Sequence, residues 1–506
     1  MGIVGIERIE GSAETAAEPA LPQPPLAVDL DGTLVKTDLL IESSLTLLRK
    51  QPSCLFLMPF WAMRGKAAFK GEVAQRVSLE MPSLPWRNEL IGYLREQRAA
   101  GRVLVLATGS DLRIARQVAE HLQIFDVVLG TEGSVNLCGI SKRDLLVSRF
   151  GERGFDYVAD GGGIGQSDLV VWAAARRAIL VNAGQNVQAG AGHVTVIDRV
   201  FNDGNDGNDG NDGQSGFAAR LKALRPTQWL KNLLVFAPII AAHRFDANSL
   251  EKSGLAFAAL SCCASGGYLF NDIMDLEADR HHPLKRSRPF ASGDLPLTYA
   301  IGMIPVLLLL SCALALLVSP LFTVVVLLYF AMSAAYTLRI KTIAILDVLF
   351  LAGLYTVRII AGSVAVGVWL SHWLLAFSTF LFFSLALVKR YAELVIMKRI
   401  DHENAKARAY EVSDGELLAS MGTASGYLAV LVFALYIASD RARELYSSPG
   451  VLWVVCPLLL YWISHVWLTA HRGNMTDDPI AFATTDRTSR ILLAAMVTAA
   501  VIAGVE

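Results

Sequence analysis

From residue 232 onward the chain returns nine times to an apolar run of membrane-spanning length, at about 232–248, 253–270, 297–317, 320–337, 343–364, 370–388, 421–439, 450–470 and 489–505. Wound as a helix, a run of about twenty apolar residues matches the roughly 30 Å hydrocarbon core of a bilayer. The repetition predicts an all-α, multi-spanning membrane domain of about nine transmembrane helices. Composition agrees: only 18% of the 506 residues are charged, against about a quarter in soluble proteins. Lys and Arg fall unevenly between these runs. Nineteen lie on the side of residues 217–231 and four on the other, so the first side is expected to be cytoplasmic in a multi-pass protein of the plasma (inner) membrane. A net charge of −1 excludes a generally basic nucleic-acid binder.

Residues 202–213 read NDGNDGNDGNDG, a turn-forming repeat that buries nothing, so 201–216 is expected to be a flexible linker. Before it, short β-branched runs at 26–30, 102–108, 126–130, 156–160 and 178–182 alternate with amphipathic stretches such as 86–101 and 111–122. Strand–helix alternation of this kind predicts a parallel α/β sheet over 25–200, interrupted by a helical cap at 39–85. Within the cap, CLFLMPFWAM (54–63) is too short to cross a bilayer and is expected to pack on the sheet or touch the membrane surface. Residues 1–24 lack the basic and apolar regions of a signal peptide and, rich in Ala, Glu and Pro, are expected to be a disordered lead-in. None of the six cysteines forms a CxxC pair, and they read as small buried hydrophobes.

The sharpest chemical signal follows the second apolar run, in NDIMDLEAD (271–279). Asp272, Asp275 and Asp279 are spaced i, i+3, i+7, which predicts one helical face bearing three carboxylates. Three like charges repel one another unless a hard divalent cation such as Mg²⁺, which takes oxygen ligands shared with substrate phosphates, lies between them. The basic run that follows, with Lys285, Arg286 and Arg288, suits a phosphate or diphosphate.

NDxxDxxxD followed by a basic HPxKRxRP loop resembles the first motif of the UbiA prenyltransferase superfamily. The segments LRPTQWLKNLLVFAP (224–238, with Lys231), YTLRIKTIAILDV (336–348, with Tyr336 and Lys341), LYTVRIIAGSVAVG (354–367, with Arg358), LVKRYAEL (387–394) and HRGNMTDDPIAFATTDRTS (471–489) are similar to its decaprenyl-phosphate phosphoribosyltransferase branch. The resemblance covers essentially all of 220–506. It implies that Asp272, Asp275 and Asp279 hold Mg²⁺ on a leaving diphosphate and that Asn271 positions it. It further implies that Lys231, Lys285, Arg286, Arg288, Tyr336, Lys341, Arg358, Lys389 and Arg390 contact substrate, with Asp347 or Glu393 supporting metal or ribose hydroxyls. Aromatic prenyltransferases carry a second Asp-rich motif where this chain reads Lys389-Arg390-Tyr391-Ala392-Glu393. That departure favours phosphoribosyl pyrophosphate as donor to a polyprenyl phosphate. The alternative is a prenyl diphosphate donor acting on a quinone or haem precursor. A transporter, the third reading, fits poorly with ionisable residues gathered at one membrane face.

In the soluble part, Asp29-Leu30-Asp31-Gly32-Thr33 closes the first strand, placing two carboxylates at the carboxyl edge of a parallel sheet, where open α/β folds bind ligands. This resembles the DxDGT motif of the HAD superfamily, and Thr108, Lys142 and the pair Asp160 and Asp168 are similar to its later motifs. The resemblance implies Asp29 as nucleophile, Asp31 as general acid/base, Thr108 and Lys142 as phosphate contacts, and Mg²⁺ held by Asp29, Asp31, Asp160 and Asp168. Asp160 and Asp168 stand eight apart, farther than the family's four or five, around GGGIGQ. An active phosphatase and a regulatory scaffold both remain open at this point.

Overall fold

The computed structural model describes residues 23–133, 135–162, 167–202, 212–282, 285–400, 406–407, 409–475 and 478–504. The expected lead-in, all but two residues of it, most of the NDG repeat and residues 163–166 of the GGGIGQ loop lie outside the described residues. The chain forms two compact units, Met1–Asp209 and Gly210–Glu506.

The first unit is built on six parallel strands, β1 (Leu26–Val28), β2 (Leu104–Asp111), β3 (Val127–Thr131), β4 (Asp156–Ala159), β5 (Arg177–Val181) and β6 (Val196–Phe201), in the order β3-β2-β1-β4-β5-β6. Because side chains alternate along a strand, each buried strand serves two cores. Leu26, Val28, Leu106, Val158 and Ile179 meet helices Asn88–Ala99 and Leu112–Leu122 on one face. Ala27, Val105, Tyr157 and Ala178 meet Trp172 and Leu146 on the other. The strand order reverses beside β1, so the crevice between the ends of β1 and β4 is the topological switch point. Five strands coincide with the expected runs. β6 was not among them: VIDRVF carries Asp198 and Arg199 mid-run, and only Phe201 is buried, as suits an edge strand. Residues 39–85 are helical in three pieces, Leu39–Lys50, Met58–Met63 and Lys66–Ala74, with a 3-10 turn at Pro52–Phe56 between the first two and another at Met81–Ser83 after the third.

Among its described residues the second unit contains eight long helices, α1 (Ala247–Met274), α2 (Leu297–Val318), α3 (Pro320–Leu338), α4 (Leu346–Val366), α5 (His372–Ile400), α6 (Gly415–Ala438), α7 (Val455–His471) and α8 (Arg487–Gly504). Among the described residues seven helices are long and apolar enough to cross a bilayer, namely α1 to α4 and α6 to α8, some with their attached 3-10 turns. The run expected at 370–388 lies in α5. The protein is an integral membrane protein.

The expected count of nine crossing helices is not confirmed: among the described residues α5 is not one of the seven, and the first expected run, 232–248, does not form a continuous helix. Pro226–Phe236 is 3-10 helical and Ala237–Ala241 is a five-residue helix. The 3-10 segment runs antiparallel beside α1: Trp229 Nε1 donates to Ser265 Oγ at 2.9 Å, Asn232 Nδ2 to Ser261 Oγ at 3.1 Å, and the Phe236 ring lies tilted against Phe257 with centroids 6.2 Å apart. Asn232 and Pro238 within the run, Lys231 just before it, and the polar HRFDAN at its end oppose a straight apolar helix. Irregular backbone at membrane depth is tolerated where protein covers it. Here α4 supplies the cover through Gly362, where an added Cβ would sit 2.0 Å from the Val235 carbonyl oxygen.

Candidate functional site

In the membrane unit, a cavity of about 740 Å³ opens among the ends of α1, α3, α4 and α5 and the segment after Ala218. The acidic set forms one wall. α1 ends at Met274, Asp275 takes the cap position, and a new short helix runs Leu276–His281, so the single continuous face expected from the spacing is kinked at Asp275. Asp272 and Asp279 still share a cation: Arg288 Nη1 lies 3.4 Å from Asp272 and 2.6 Å from Asp279. Arg225 Nη2 sits 2.5 Å from Asp272, and Lys341 pairs with Asp275. The repulsion anticipated among the carboxylates is therefore already offset by side chains. Asn271 accepts from Thr337 at 3.3 Å.

A second polar cluster lines the same cavity. Lys231 pairs with Asp478 and lies 5.7 Å from the centroid of the Tyr355 ring. Arg358 donates to Asn232 at 2.8 Å and to the Tyr329 hydroxyl at 2.6 Å. Lys389 lines the wall between Asp478 and Glu393. Of the residues expected to contact substrate, Lys231, Asn271, Lys285, Arg288, Tyr336, Arg358, Lys389 and Glu393 line the cavity. Arg286 is exposed away from it.

Arg390 has another task. It is fully buried, with Nε 2.5 Å from Asp347, Nη1 2.7 Å from Glu393 and Nη2 2.6 Å from the Tyr336 hydroxyl. Tyr410 donates to the other Asp347 oxygen at 2.5 Å and accepts from the Ile345 amide at 2.8 Å. Ile345 is a β-branched residue at φ +65°, a conformation worth keeping only where its surroundings fix it. This network ties the loop bearing Lys341 to α4 and α5, so Arg390 and Asp347 position the site and do not line it. Asp347→Asn leaves the buried Arg390 charge with only the part-exposed Glu393 as counter-charge and is expected to cost up to about 3–5 kcal/mol, read as a lower melting temperature in detergent. An unchanged melting temperature would contradict this role.

Sequence reasoning passed over Arg225 and Asp478. Arg225 lies 47 positions from Asp272, beyond the reach of any local spacing rule. Asp478 precedes Pro479 and caps the helix Pro479–Thr485 through the Ile480 amide at 3.0 Å. An Asp-Pro step reads as a helix start, which conceals the second oxygen's pairing with Lys231.

In the first unit, Asp29 and Asp160 stand at the carboxyl ends of neighbouring β1 and β4. Asp29 Oδ1 is fixed by the Leu30 amide at 2.9 Å and by Lys142 Nζ at 2.9 Å. No contact engages its Oδ2 among the described residues. Lys142 also donates to the Tyr157 hydroxyl at 2.9 Å, which donates to Asp168 at 2.8 Å. Asp31 accepts from Ser110 Oγ at 2.6 Å and from the Leu39 amide at 2.8 Å. Thr108 Oγ1 accepts from the Ser110 amide at 3.0 Å. Gly32, at φ +75°, passes so close to Asp160 that a Cβ would lie 2.3 Å from Oδ2.

This crevice is short of positive charge. Burial and then the charge of Asp38 push Asp31 up to about 7. Burial and Asp29 push Asp160 up to about 6 and Asp168 to about 7. Burial alone would lower Lys142, but Asp29 and Asp168 outweigh it and hold the ammonium charged. A cation among these oxygens would relieve the crowding.

Donor chemistry thus fits Mg²⁺ in both units: the groups are carboxylate oxygens, several of them buried. Among the described residues, however, no three such groups converge as ready-made ligands. In the membrane unit Asp272, Asp275 and Asp279 are turned to Arg225, Arg288 and Lys341. In the first unit Asp168 is turned to Lys142 and Tyr157.

A bundle of crossing helices around an acid- and cation-lined cavity, carried in one chain with a doubly covered parallel sheet, defines an integral membrane protein with a separate α/β unit. Residues 233–485 match the UbiA prenyltransferase family, and the chain belongs to that family. It is a transferase. An uncharacterised protein, y4nM, from Sinorhizobium fredii is 34% identical over 95% of this chain and 91% of its own. The decaprenyl-phosphate phosphoribosyltransferase of Mycobacterium tuberculosis is 33% identical over 55% of this chain and 92% of its own. A solved phosphoserine phosphatase aligns with 36% of this chain and 94% of its own, at a TM-score of 0.25 and 14% identity.

Proposed function

We propose that the membrane unit transfers a 5-phosphoribosyl group from phosphoribosyl pyrophosphate to a polyprenyl phosphate. The observation that carries this reading is the composition of the cavity. Where an aromatic prenyltransferase would need a second acidic set, Lys389 lines the wall, Lys231 and Arg358 lie nearby, and Arg390 is locked on Asp347. Two separated cationic regions suit a donor bearing both a diphosphate and a distant phosphate, with a phosphorylated acceptor. A single prenyl diphosphate and a neutral aromatic partner would leave one of them without a function. The relatedness to decaprenyl-phosphate phosphoribosyltransferases supports the same choice.

In the reaction an acceptor phosphate oxygen bonds to the anomeric carbon, the bond from that carbon to pyrophosphate breaks, and the pyrophosphate leaves with the electron pair. Mg²⁺, when held by Asp272, Asp275 and Asp279, supplies charge neutralisation for the leaving group. Arg225, Arg288 and Lys341, released from those carboxylates, are placed to take phosphate oxygens. Asn271 orients the donor, and Lys231, Lys389 and Arg358 receive the far phosphate. The kink at Asp275 spreads the three carboxylates over two short segments, which lets each turn independently.

The first unit, in the same reading, hydrolyses the 5-phosphate of the lipid product, with Asp29 as nucleophile, Asp31 as proton carrier, Lys142 and Thr108 on the phosphoryl group, and Mg²⁺ held by Asp29, Asp160 and Asp168. The test of the transferase is direct. Detergent-purified protein is given labelled phosphoribosyl pyrophosphate with a polyprenyl phosphate, or a prenyl diphosphate with 4-hydroxybenzoate. Transfer only in the second mixture overturns the proposal.

In the same reading the acidic set and the first unit lie on the cytoplasmic side of the plasma membrane, which the asymmetry of Lys and Arg between the apolar runs supports. Reporter fusions after residue 200 and within 409–415 are expected to report cytoplasm, and fusions within 440–449 the opposite side. A reversed pattern would refute the orientation.

A further inference from the structure

The cap of the first unit carries an apolar surface that its own fold leaves uncovered. Cys54 and Trp61 are buried in the sheet-and-cap core, and Met58 packs against it. The side chains between and around these anchors point away: Leu55, Phe56, Leu57, Phe60 and Met63 are all exposed, Phe56 at 76% and Met63 at 84%. The segment is too short to be a crossing helix and too firmly anchored to be a frayed loop. A contiguous exposed patch of this kind marks an interaction surface.

The charge around it selects the occupant. From Ser43 to Gly71 there is no Asp or Glu, while Arg49, Lys50, Arg64, Lys66 and Lys70 fall within the same stretch. Arg49, Lys50, Arg64 and Lys66 are exposed beside the apolar side chains, and the 3.4 Å contact of Arg64 with Glu72 is a solvent-open ion pair. Bulky apolar side chains rimmed by cations fit the interface of an anionic bilayer, where rings and aliphatic chains enter the acyl boundary and ammonium and guanidinium groups stay among phosphates. The same polypeptide is embedded in a membrane through its second unit, so lipid is the partner present at high effective concentration.

We propose that residues 55–63 are a monotopic docking element that seats the first unit on an anionic phospholipid surface. The consequence for that unit's crevice is structural. Helix Lys66–Ala74 continues directly from the patch, and its Lys70 Nζ donates to the Gly109 carbonyl at 2.5 Å and to Asn136 at 2.7 Å. Gly109 lies between Thr108 and Ser110, which bonds Asp31. A cap seated on lipid therefore holds the mouth of the crevice one short helix away from the headgroups. Docking itself does not depend on the phosphatase reading, and its test does not use it.

The full-length protein, with a dansyl amino acid in place of Met63, is reconstituted into phosphatidylcholine vesicles with or without about one-third phosphatidylglycerol. A shallow spin-labelled lipid is expected to quench the fluorophore at least about twofold in the anionic vesicles, and less in the neutral ones. F56E/F60E is expected to abolish that quenching while hydrogen-exchange protection of β1 and β2 is retained. Absence of lipid quenching overturns the proposal, as does quenching that survives F56E/F60E. So does a fluorophore shielded from aqueous iodide yet untouched by the lipid quencher, which would mean that protein or a second copy of the chain covers the patch.

Discussion

Asp272→Asn and Asp275→Asn are each expected to reduce phosphoribosyl transfer by at least about three orders of magnitude, a loss of roughly 4 kcal/mol or more of transition-state stabilisation. Asn keeps the shape of the side chain and removes the charge that a divalent cation requires, so the loss should appear in turnover at saturating donor. Chelation of Mg²⁺ from the unaltered protein should give a similar loss, reversed on its return. The effects on the fold differ between the two positions. Asp272 is 2% exposed at its side chain and faces two guanidinium groups, from Arg225 and Arg288. Its neutralisation takes the carboxylate charge from Arg225 and leaves Arg288 with Asp279, and the melting temperature in detergent should fall. Asp275 and Lys341 are less buried, each side chain 14% exposed, and Asp275→Asn should leave stability almost unchanged. Full transfer activity in both variants would remove the acidic set from the mechanism.

The physical reason that so much of this site was legible lies in the cost of charge at a membrane boundary. A carboxylate or guanidinium beside twenty apolar residues has to be compensated, so NDIMDLEAD and the basic loop after it announce themselves without any structure. What they do not announce is the partner. Arg225, Lys341 and Asp478 complete ion pairs with residues 47, 66 and 247 positions away, and no periodicity relates such positions. The same blindness made Arg390 look like a phosphate ligand. A lone Arg after a Lys at the end of an apolar helix reads identically whether it faces a cavity or a buried Asp347. Only the folded chain shows that all of its forks are spent on Asp347, Glu393 and Tyr336.

The fold shows a comparable division. β1, β2, β4 and β5 were readable because strands buried on both faces are nearly continuous runs of Val, Leu, Ile and Ala. β6 was hidden by its position at the edge, where Asp198 and Arg199 face solvent. Hydropathy found the run at 232–248 but could not give its conformation. Counting apolar residues does not distinguish a helix from a 3-10 segment shielded by α1 and by the missing side chain at Gly362. Lys231, at the threshold of that run, was the warning, and its role became visible only when Asp478 was found beside it.

Asp29→Asn is expected to stop removal of the 5-phosphate completely while leaving transfer intact, so that polyprenyl-phosphoryl ribose 5-phosphate accumulates in place of its dephosphorylated form. The argument begins with the free oxygen. Lys142 and the Leu30 amide both hold Oδ1, which leaves Oδ2 as the atom able to bond to phosphorus. As that bond forms, the phosphorus–oxygen bond to C5 of the ribose breaks, and the leaving alkoxide needs a proton. Asp31, raised to about 7 by burial and by Asp38, keeps a proton near neutral pH, and Ser110 orients its carboxyl at 2.6 Å. Water then cleaves the aspartyl-phosphate at phosphorus, releasing phosphate and restoring Asp29. An amide at position 29 cannot form the intermediate, yet it preserves the acceptor that Lys142 and Leu30 need, so the sheet should stay folded. Thin-layer separation of the labelled lipids distinguishes the two products. If the unaltered protein, supplied with Mg²⁺ and both substrates, makes only the phosphorylated lipid, the crevice between β1 and β4 acts on another phosphate ester or on none. If Asp29→Asn and the unaltered protein yield the same dephosphorylated lipid, the nucleophile has been misassigned.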